Sequence, residues 1–180
     1  MKLTIIDNII SLGYQNLVEE VWGSSYFDWY FNSQISVKGD DDVNTGFTHR
    51  TFYTDNGKPV ATTYNHLVYP ILLEALNKYK KGSLIKELYR IRGAMFVKNQ
   101  TSLPHLPHVD NDYKHYTMLY YVTDSDGPTK IFSDKSGERV IREIEPKKGR
   151  VVFMSGDTYH ASASPRTHER RIVINYNFMA

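Results

Sequence analysis

The 180-residue sequence contains no cysteine. That excludes disulfides, thiolate metal sites and cysteine nucleophiles together. Any metal must rest on histidine and carboxylate, a donor set that suits iron, manganese, copper or zinc but not an iron–sulfur cluster. Long hydrophobic runs are also missing. The apolar stretch in Met1-Lys2-Leu3-Thr4-Ile5-Ile6-Asp7 is too short for a signal peptide, and no later run could span a bilayer. An intracellular, cytoplasmic location with no membrane partner is therefore expected. Charge of one sign is scarce too: 22 basic against 20 acidic residues leave a net +2, which gives no electrostatic case for nucleic acid. No phosphate-cradling or dinucleotide glycine pattern occurs, and the Gly-x-Ser-like turns lack the strand-to-helix setting of a serine nucleophile. Length and charge do not encode an oligomeric state.

What is abundant is aromatic surface, with 14 tyrosines and 8 phenylalanines, enough to furnish the core of one domain spanning residues 1–180. Residues 1–82 read as helical and loop support. Leu17, Val18, Val21 and Trp22 have helical spacing, with Glu19 and Glu20 opposite. The aromatic stretch Tyr26 to Phe31 reads as a strand, and Asp40 to Asn56, rich in Asp, Gly, Asn and Thr, as loops. A second helix is expected from about Thr62 to Lys80, with Leu67, Ile71, Leu72, Ala75 and Leu76 as its apolar face and lysines before Gly82 at its end. Residues 83–180 change character. Short β-like runs (Leu88 to Val97, Tyr116 to Val122, Thr129 to Phe132, Val140 to Ile144, Arg150 to Met154, Ile172 to Phe178) alternate with turn signals. The expected fold is mainly β with flanking helices, a jelly-roll whose one sheet is backed by the two helices.

His108-Val109-Asp110 carries the first chemical signal. Residues two apart on an extended segment share a side, so both side chains can reach one ion. His160 follows a strand and the turn Ser155-Gly156-Asp157, and the intervening strands can fold it back beside the first pair. Two histidines and one carboxylate on one face leave coordination positions open for substrate and O₂, as non-haem iron(II) oxygenases require. A His-x-Asp alone is weak, since the pattern recurs by chance in loops. His105 lacks a carboxylate at the right spacing, His49 and His66 fall in helix and loop, and His115 and His168 fall in polar segments.

The surrounding motifs sharpen this. They are Pro107-His108-Val109-Asp110, Thr117 to Val122, Pro146 to Phe153, Gly156-Asp157-Thr158-Tyr159-His160 and Arg171 to Phe178. In this order and spacing the chain resembles the iron(II)/2-oxoglutarate oxygenases of the prolyl-hydroxylase type, especially small bacteriophage-type members. The resemblance implies a double-stranded β-helix, with iron(II) on His108, Asp110 and His160. It implies that 2-oxoglutarate chelates the iron through its 1-carboxylate and keto oxygens. O₂ is the oxidant, with ascorbate a candidate accessory. It also implies a basic residue about ten positions past the distal histidine that pairs with the 5-carboxylate.

Arg171 and Arg170 compete for that last role. Arg171 shares a strand face with Val173, Asn175 and Asn177, whereas Arg170 falls on the apolar face of Ile172, Ile174, Tyr176 and Phe178, suited to pack on helices. Arg171 is therefore expected to take the 5-carboxylate, with the Tyr121 hydroxyl as a second donor; as a core aromatic, Tyr121 has an equally good structural reading. Thr117 shares a face with Tyr121, and Asn175 has no partner nameable from sequence. Arg90, Arg92 and Lys98 read as a solvated basic strip. The expected activity is hydroxylation of an unidentified substrate, with 2-oxoglutarate decarboxylated to succinate. A protein side chain such as proline, a nucleobase and a small metabolite all remain open as substrates, and the loops Ser33 to Asn56 and Asn99 to Pro107 are expected at the pocket mouth. The alternatives are a non-catalytic jelly-roll binding module and a cupin-like metal enzyme that does not use 2-oxoglutarate.

Overall fold

Ser11 opens the first helix, its hydroxyl accepting from Tyr14 N–H at 3.3 Å, and α1 runs Leu12–Gly23. Gln15, Val18 and Trp22 form its buried stripe, while Leu17, expected on that face, is 48% exposed. Gln15 is tolerated inside because its amide donates to the Ile10 carbonyl at 2.9 Å. The second helix, α2 (Asn65–Tyr79), starts after a turn in which Asn65 N–H reaches Thr62 O. It buries Val68, Ile71, Leu72, Ala75 and Leu76. The computed structural model describes residues 3–35, 45–79, 84–99 and 105–180. Lys80, Lys81 and Gly82, expected at the end of α2, lie outside them.

The strands are β1 (Thr4–Ile6), β2 (Tyr30–Asn32), β3 (Gly46–Asp55), β4 (Lys58–Ala61), β5 (Glu87–Val97), β6 (Tyr116–Tyr121), β7 (Thr129–Phe132), β8 (Val140–Ile144), β9 (Val151–Ser155), β10 (His160–Ser162) and β11 (Arg170–Met179). All six runs marked after residue 83 are strands. The aromatic stretch is not: only its end enters β2, and Phe27 turns in against Trp22 at 4.6 Å between rings.

The loop expected at Asp40 to Asn56 is a further correction. Its described part from Gly46 is a ten-residue strand paired with β5 on one side and β4 on the other. Its polar composition hid the alternation, because His49 and Thr51 are buried. His49 is satisfied there, its Nδ1 bonding to Asp28 O at 2.7 Å. Asn56 and Gly57, both at positive φ, make the tight turn into β4. Strands β1, β3 and β4 thus come from stretches expected to give helices and loops, while β2 begins at the end of the stretch expected as a strand.

The larger sheet has the order β1-β9-β6-β11-β5-β3-β2, with β4 on β3, and the smaller has β10-β7-β8. All pairings are antiparallel. The helices pack on the outer face of the larger sheet, over Ile91, Met118, Tyr120, Phe153, Ile172, Ile174, Tyr176 and Phe178. A second apolar cluster, including Phe96, Leu119, Tyr121, Ile131, Val152 and Val173, lies on the opposite side. β11 therefore sends its apolar alternates to the helices and Arg171, Val173, Asn175 and Asn177 the other way. This is a double-stranded β-helix. Among the described residues, no helix is long and apolar enough to cross a membrane.

Candidate active site

His108 and His160 meet through backbone. Each N–H donates to the other's carbonyl at 3.0 Å, so the segment carrying His108 pairs with β10 at the edge of the smaller sheet. The two imidazoles stand 4.7 Å apart between centroids. Each uses Nδ1 on a nearby carbonyl: His108 to Leu106 O at 3.1 Å and His160 to Thr158 O at 3.0 Å. A carbonyl can only accept, so Nδ1 carries a hydrogen, and in the neutral ring Nε2 keeps the lone pair that a metal needs. One donor atom from each of His108, Asp110 and His160 lies within 4.8 Å of the others. The residues expected to converge do so, from a loop and a strand 50 positions apart in sequence.

Asp110 is the most tightly held member. Its side chain is 2% exposed. Thr117 Oγ1 donates to Oδ2 at 3.0 Å, Asn177 Nδ2 to Oδ2 at 2.9 Å, and Asn175 Nδ2 to both oxygens at 3.2 and 3.1 Å. Arg90 Nη2 approaches Oδ1 at 3.4 Å and also grips Asn177 Oδ1 at 2.7 Å. Burial works against the carboxylate, but the neighbouring His160, Arg90 and His108 and the Asn175 hydrogen bond outweigh it and hold Asp110 well below the usual carboxylate range. Burial, reinforced by His160, brings His108 down to about 4. The pair is thus an anion and a neutral imidazole at neutral pH, the protonation states that bind a divalent cation.

Arg171 is fully buried, and it faces inward. Its Nη2 donates to Thr129 Oγ1 at 2.7 Å, and the Tyr121 hydroxyl donates to the same oxygen at 2.7 Å. Phe96 and Tyr121 flank the guanidinium at 5.3 and 5.7 Å. Its Nε is buried without a hydrogen-bond partner, an orphan donor of the kind a ligand carboxylate would satisfy. Arg170 points away and donates to Gly23 O at 2.8 Å at the end of α1. The alternation argument therefore separates the two arginines as expected.

One cavity connects these groups. Its wall includes His108, Asp110, His160, Ser162, Asn175 and Arg171. It is narrow, with about 30 Å³ of open space, so a five-carbon diacid enters only as side chains rearrange. A larger hollow of about 500 Å³, lined by Tyr113, His115, Asp157 and Tyr159 among others, includes none of the three donors. Thr129, Asn177 and Arg90 are site residues that sequence reading missed. Asn177 shares the face of Arg171 by simple alternation, and that signal was available. Thr129 had none. Arg90 and Arg92, expected on a solvated strip, instead turn towards the cavity; burial and the nearby Arg90 lower Arg92 to about 10, and its Nη1 donates to Ile35 O at 3.2 Å. The mouth loops Ser33 to Asn56 and Asn99 to Pro107 lie partly outside the described residues.

Two histidines and a carboxylate between the sheets of a double-stranded β-helix are the architecture of a non-haem metal oxygenase. Residues 94–179 match the family model of the 2OG-Fe(II) oxygenase superfamily. The chain is an enzyme, a 2-oxoglutarate-dependent dioxygenase. No curated protein matches the sequence. Among solved structures, an oxidoreductase of the 2OG-Fe(II) oxygenase family from Burkholderia pseudomallei is similar with TM-score 0.70 at 12% identity, over 98% of this chain and 84% of that one. A viral collagen prolyl hydroxylase from Paramecium Bursaria Chlorella virus-1, solved with 2OG, has TM-score 0.59 at 16% identity, over 100% and 97%. A Trichoplax adhaerens prolyl hydroxylase, in complex with a hypoxia inducible factor peptide fragment, has TM-score 0.60 at 16% identity, over 98% and 83%. At such identities the likeness is one of fold.

Proposed function

We propose that this dioxygenase holds iron(II) on His108, Asp110 and His160 and takes 2-oxoglutarate along the cavity to Arg171, hydroxylating a C–H bond of a substrate at the metal. One observation carries the reading: a single cavity joins the three donors to a buried guanidinium. The donor set fits the metal: Asp110 is an anion, His108 is a neutral imidazole, and His160 turns its Nδ1 to a carbonyl and leaves Nε2 facing the other two. When bound, iron(II), 2-oxoglutarate and O₂ supply the oxidising chemistry, with the co-substrate leaving as succinate and CO₂.

The chain's own part is positioning. Arg171 would receive the 5-carboxylate, with the Tyr121 and Thr129 hydroxyls beside it. Phe96, Leu119 and Val173 line the cavity and keep water from its centre. Asn175, Asn177 and Thr117 fix the Asp110 carboxylate so that it does not swing as ligands exchange. A peptide-borne side chain is one substrate candidate, as the Trichoplax neighbour is a prolyl hydroxylase in complex with a peptide fragment.

The test is anaerobic addition of iron(II) and 2-oxoglutarate, which should give the weak visible charge-transfer band of the chelate. His160→Ala should abolish iron-dependent succinate formation. Arg171→Ala should raise the 2-oxoglutarate Kd at least about 30-fold, the scale for truncating one partner of a buried charged pair. Iron binding without the band would argue for the cupin-like alternative, and a larger defect in Arg170→Ala would refute the assignment of strand faces.

A further inference from the structure

A second guanidinium in the same cavity is left over by this reading. Arg92 sits on β5 opposite Asn175, in the row next to the one holding Arg90, Asn177 and Thr117. It lines the cavity. Its Nη1 has the Ile35 carbonyl, and its Nε is buried with no hydrogen-bond partner. No ion pair of Arg92 is found among the described residues. Its charged neighbours are Arg90 on its own strand, already bound to Asn177 and Asp110, and Arg50, its partner across β3, exposed over the Tyr53 ring. Arg50, Arg92 and Arg90 therefore lie on one sheet face, and among the described residues only Arg90 pairs with Asp110.

2-Oxoglutarate does not neutralise this excess. Its 5-carboxylate belongs with Arg171, and its 1-carboxylate, with Asp110, offsets the two charges of the metal. Among the described residues Arg92 then has no carboxylate of its own, a state that an arriving anion would relieve. Along β5, Arg92 stands four residues from Phe96, the partner of Arg171, or roughly 13 Å.

We infer that the primary substrate carries an anionic group, a carboxylate or a phosphate, that Arg92 receives beside the metal. This rests on the oxygenase reading above. A guanidinium fork matches either group in geometry and charge.

The experiment loads the protein with redox-silent Mn(II) and 2-oxoglutarate, then measures paramagnetic line broadening of small probes against a protein-free Mn(II)–2-oxoglutarate solution. The probes are N-acetylglycine, its neutral methyl amide, and inorganic phosphate read by phosphorus resonance. N-acetylglycine or phosphate should be broadened at least about threefold more than the amide. In Arg92→Gln the preference should vanish, in Arg92→Lys it should partly survive, and 2-oxoglutarate affinity should stay within about threefold of the original protein in both. Which anion is preferred separates acids from phosphate esters. Equal broadening of amide and anions in the unaltered protein would overturn the inference without any variant. So would a loss of 2-oxoglutarate binding in Arg92→Gln as large as in Arg171→Ala, since Arg92 would then serve the co-substrate. Failure of 2-oxoglutarate to bind the unaltered Mn(II) protein would instead refute the oxygenase reading, and the same probes with Mn(II) alone would still decide the anion preference.

Discussion

Asp110 is gripped through both carboxylate oxygens, Oδ2 by Thr117, Asn175 and Asn177 and Oδ1 by Asn175 and Arg90. Its donors come from three strands: Arg90 on β5, Thr117 on β6, and Asn175 and Asn177 on β11. Asn177 is the hub, because it also accepts from Arg90 and donates to Thr117 at 3.1 Å. Removing it frees the carboxylate to rotate and leaves Arg90 without its main acceptor. Asn177→Ala should weaken Mn(II) binding about 10- to 100-fold by titration calorimetry, while circular dichroism stays unchanged. An unchanged Mn(II) affinity would mean that the asparagine only fills space. His-x-Asp was readable in the sequence because its spacing is local. Alternation put Asn175 and Asn177 on the Arg171 face but did not name Asp110 as their partner, since an asparagine on a strand looks the same whether it faces solvent or a buried anion.

Two elements decide where the site residues stand. β11 carries Arg171, Asn175 and Asn177, and the turn before it is held by Asp126. That carboxylate accepts from the backbone N–H groups of Arg166, Thr167 and His168, from the Thr167 hydroxyl, and from His168 Nδ1. Burial opposes its ionisation, but the hydrogen bonds from Thr167 and His168 outweigh it and place Asp126 well below the usual carboxylate range. A depressed folded pKa gives stability that is fully present above the unfolded value, about 3.9, and is lost as pH falls towards the folded one. Asp126→Asn should therefore lower the midpoint of urea unfolding at pH 7, by about 1 kcal/mol for the charged hydrogen bonds, and the gap from the original protein should close as pH drops below about 4. A gap independent of pH would refute the carboxylate's role. β5 is fixed from behind, where Trp22 covers Gly93: a Cβ there would meet Trp22 Cζ3 at 1.8 Å. Gly93→Ala should destabilise by about 2–3 kcal/mol in denaturant titration, since neither the buried indole nor the central strand can shift freely. Alternation identified β11 and β5 from sequence, whereas β3 was hidden by polar residues whose partners lie on other elements.

At the scale of the molecule, the candidate metal centre lies between the two sheets. His160 belongs to the smaller sheet and His108 pairs with it, while the groups clamping Asp110 belong to the larger one. A bound cation would tie the layers together, and binding that favours the folded state raises its stability. Mn(II) at about 100 times its Kd should add about 2.7 kcal/mol and raise Tm; the shift should disappear with chelator and in His160→Ala. A Tm indifferent to Mn(II) would argue against a cation site at this junction. The sequence by itself determined the period of each C-terminal strand, the two helical stripes and the His-x-Asp pair, because those patterns depend on neighbours a few residues away. It also separated Arg171 from Arg170, since alternation alone assigns opposite faces. Only the tertiary structure decided that His160 meets His108, that Arg90 and Arg92 turn inward, and that Thr129 joins Tyr121 to Arg171. Those contacts are set by strand register and sheet packing between segments far apart in the chain, which local composition does not encode.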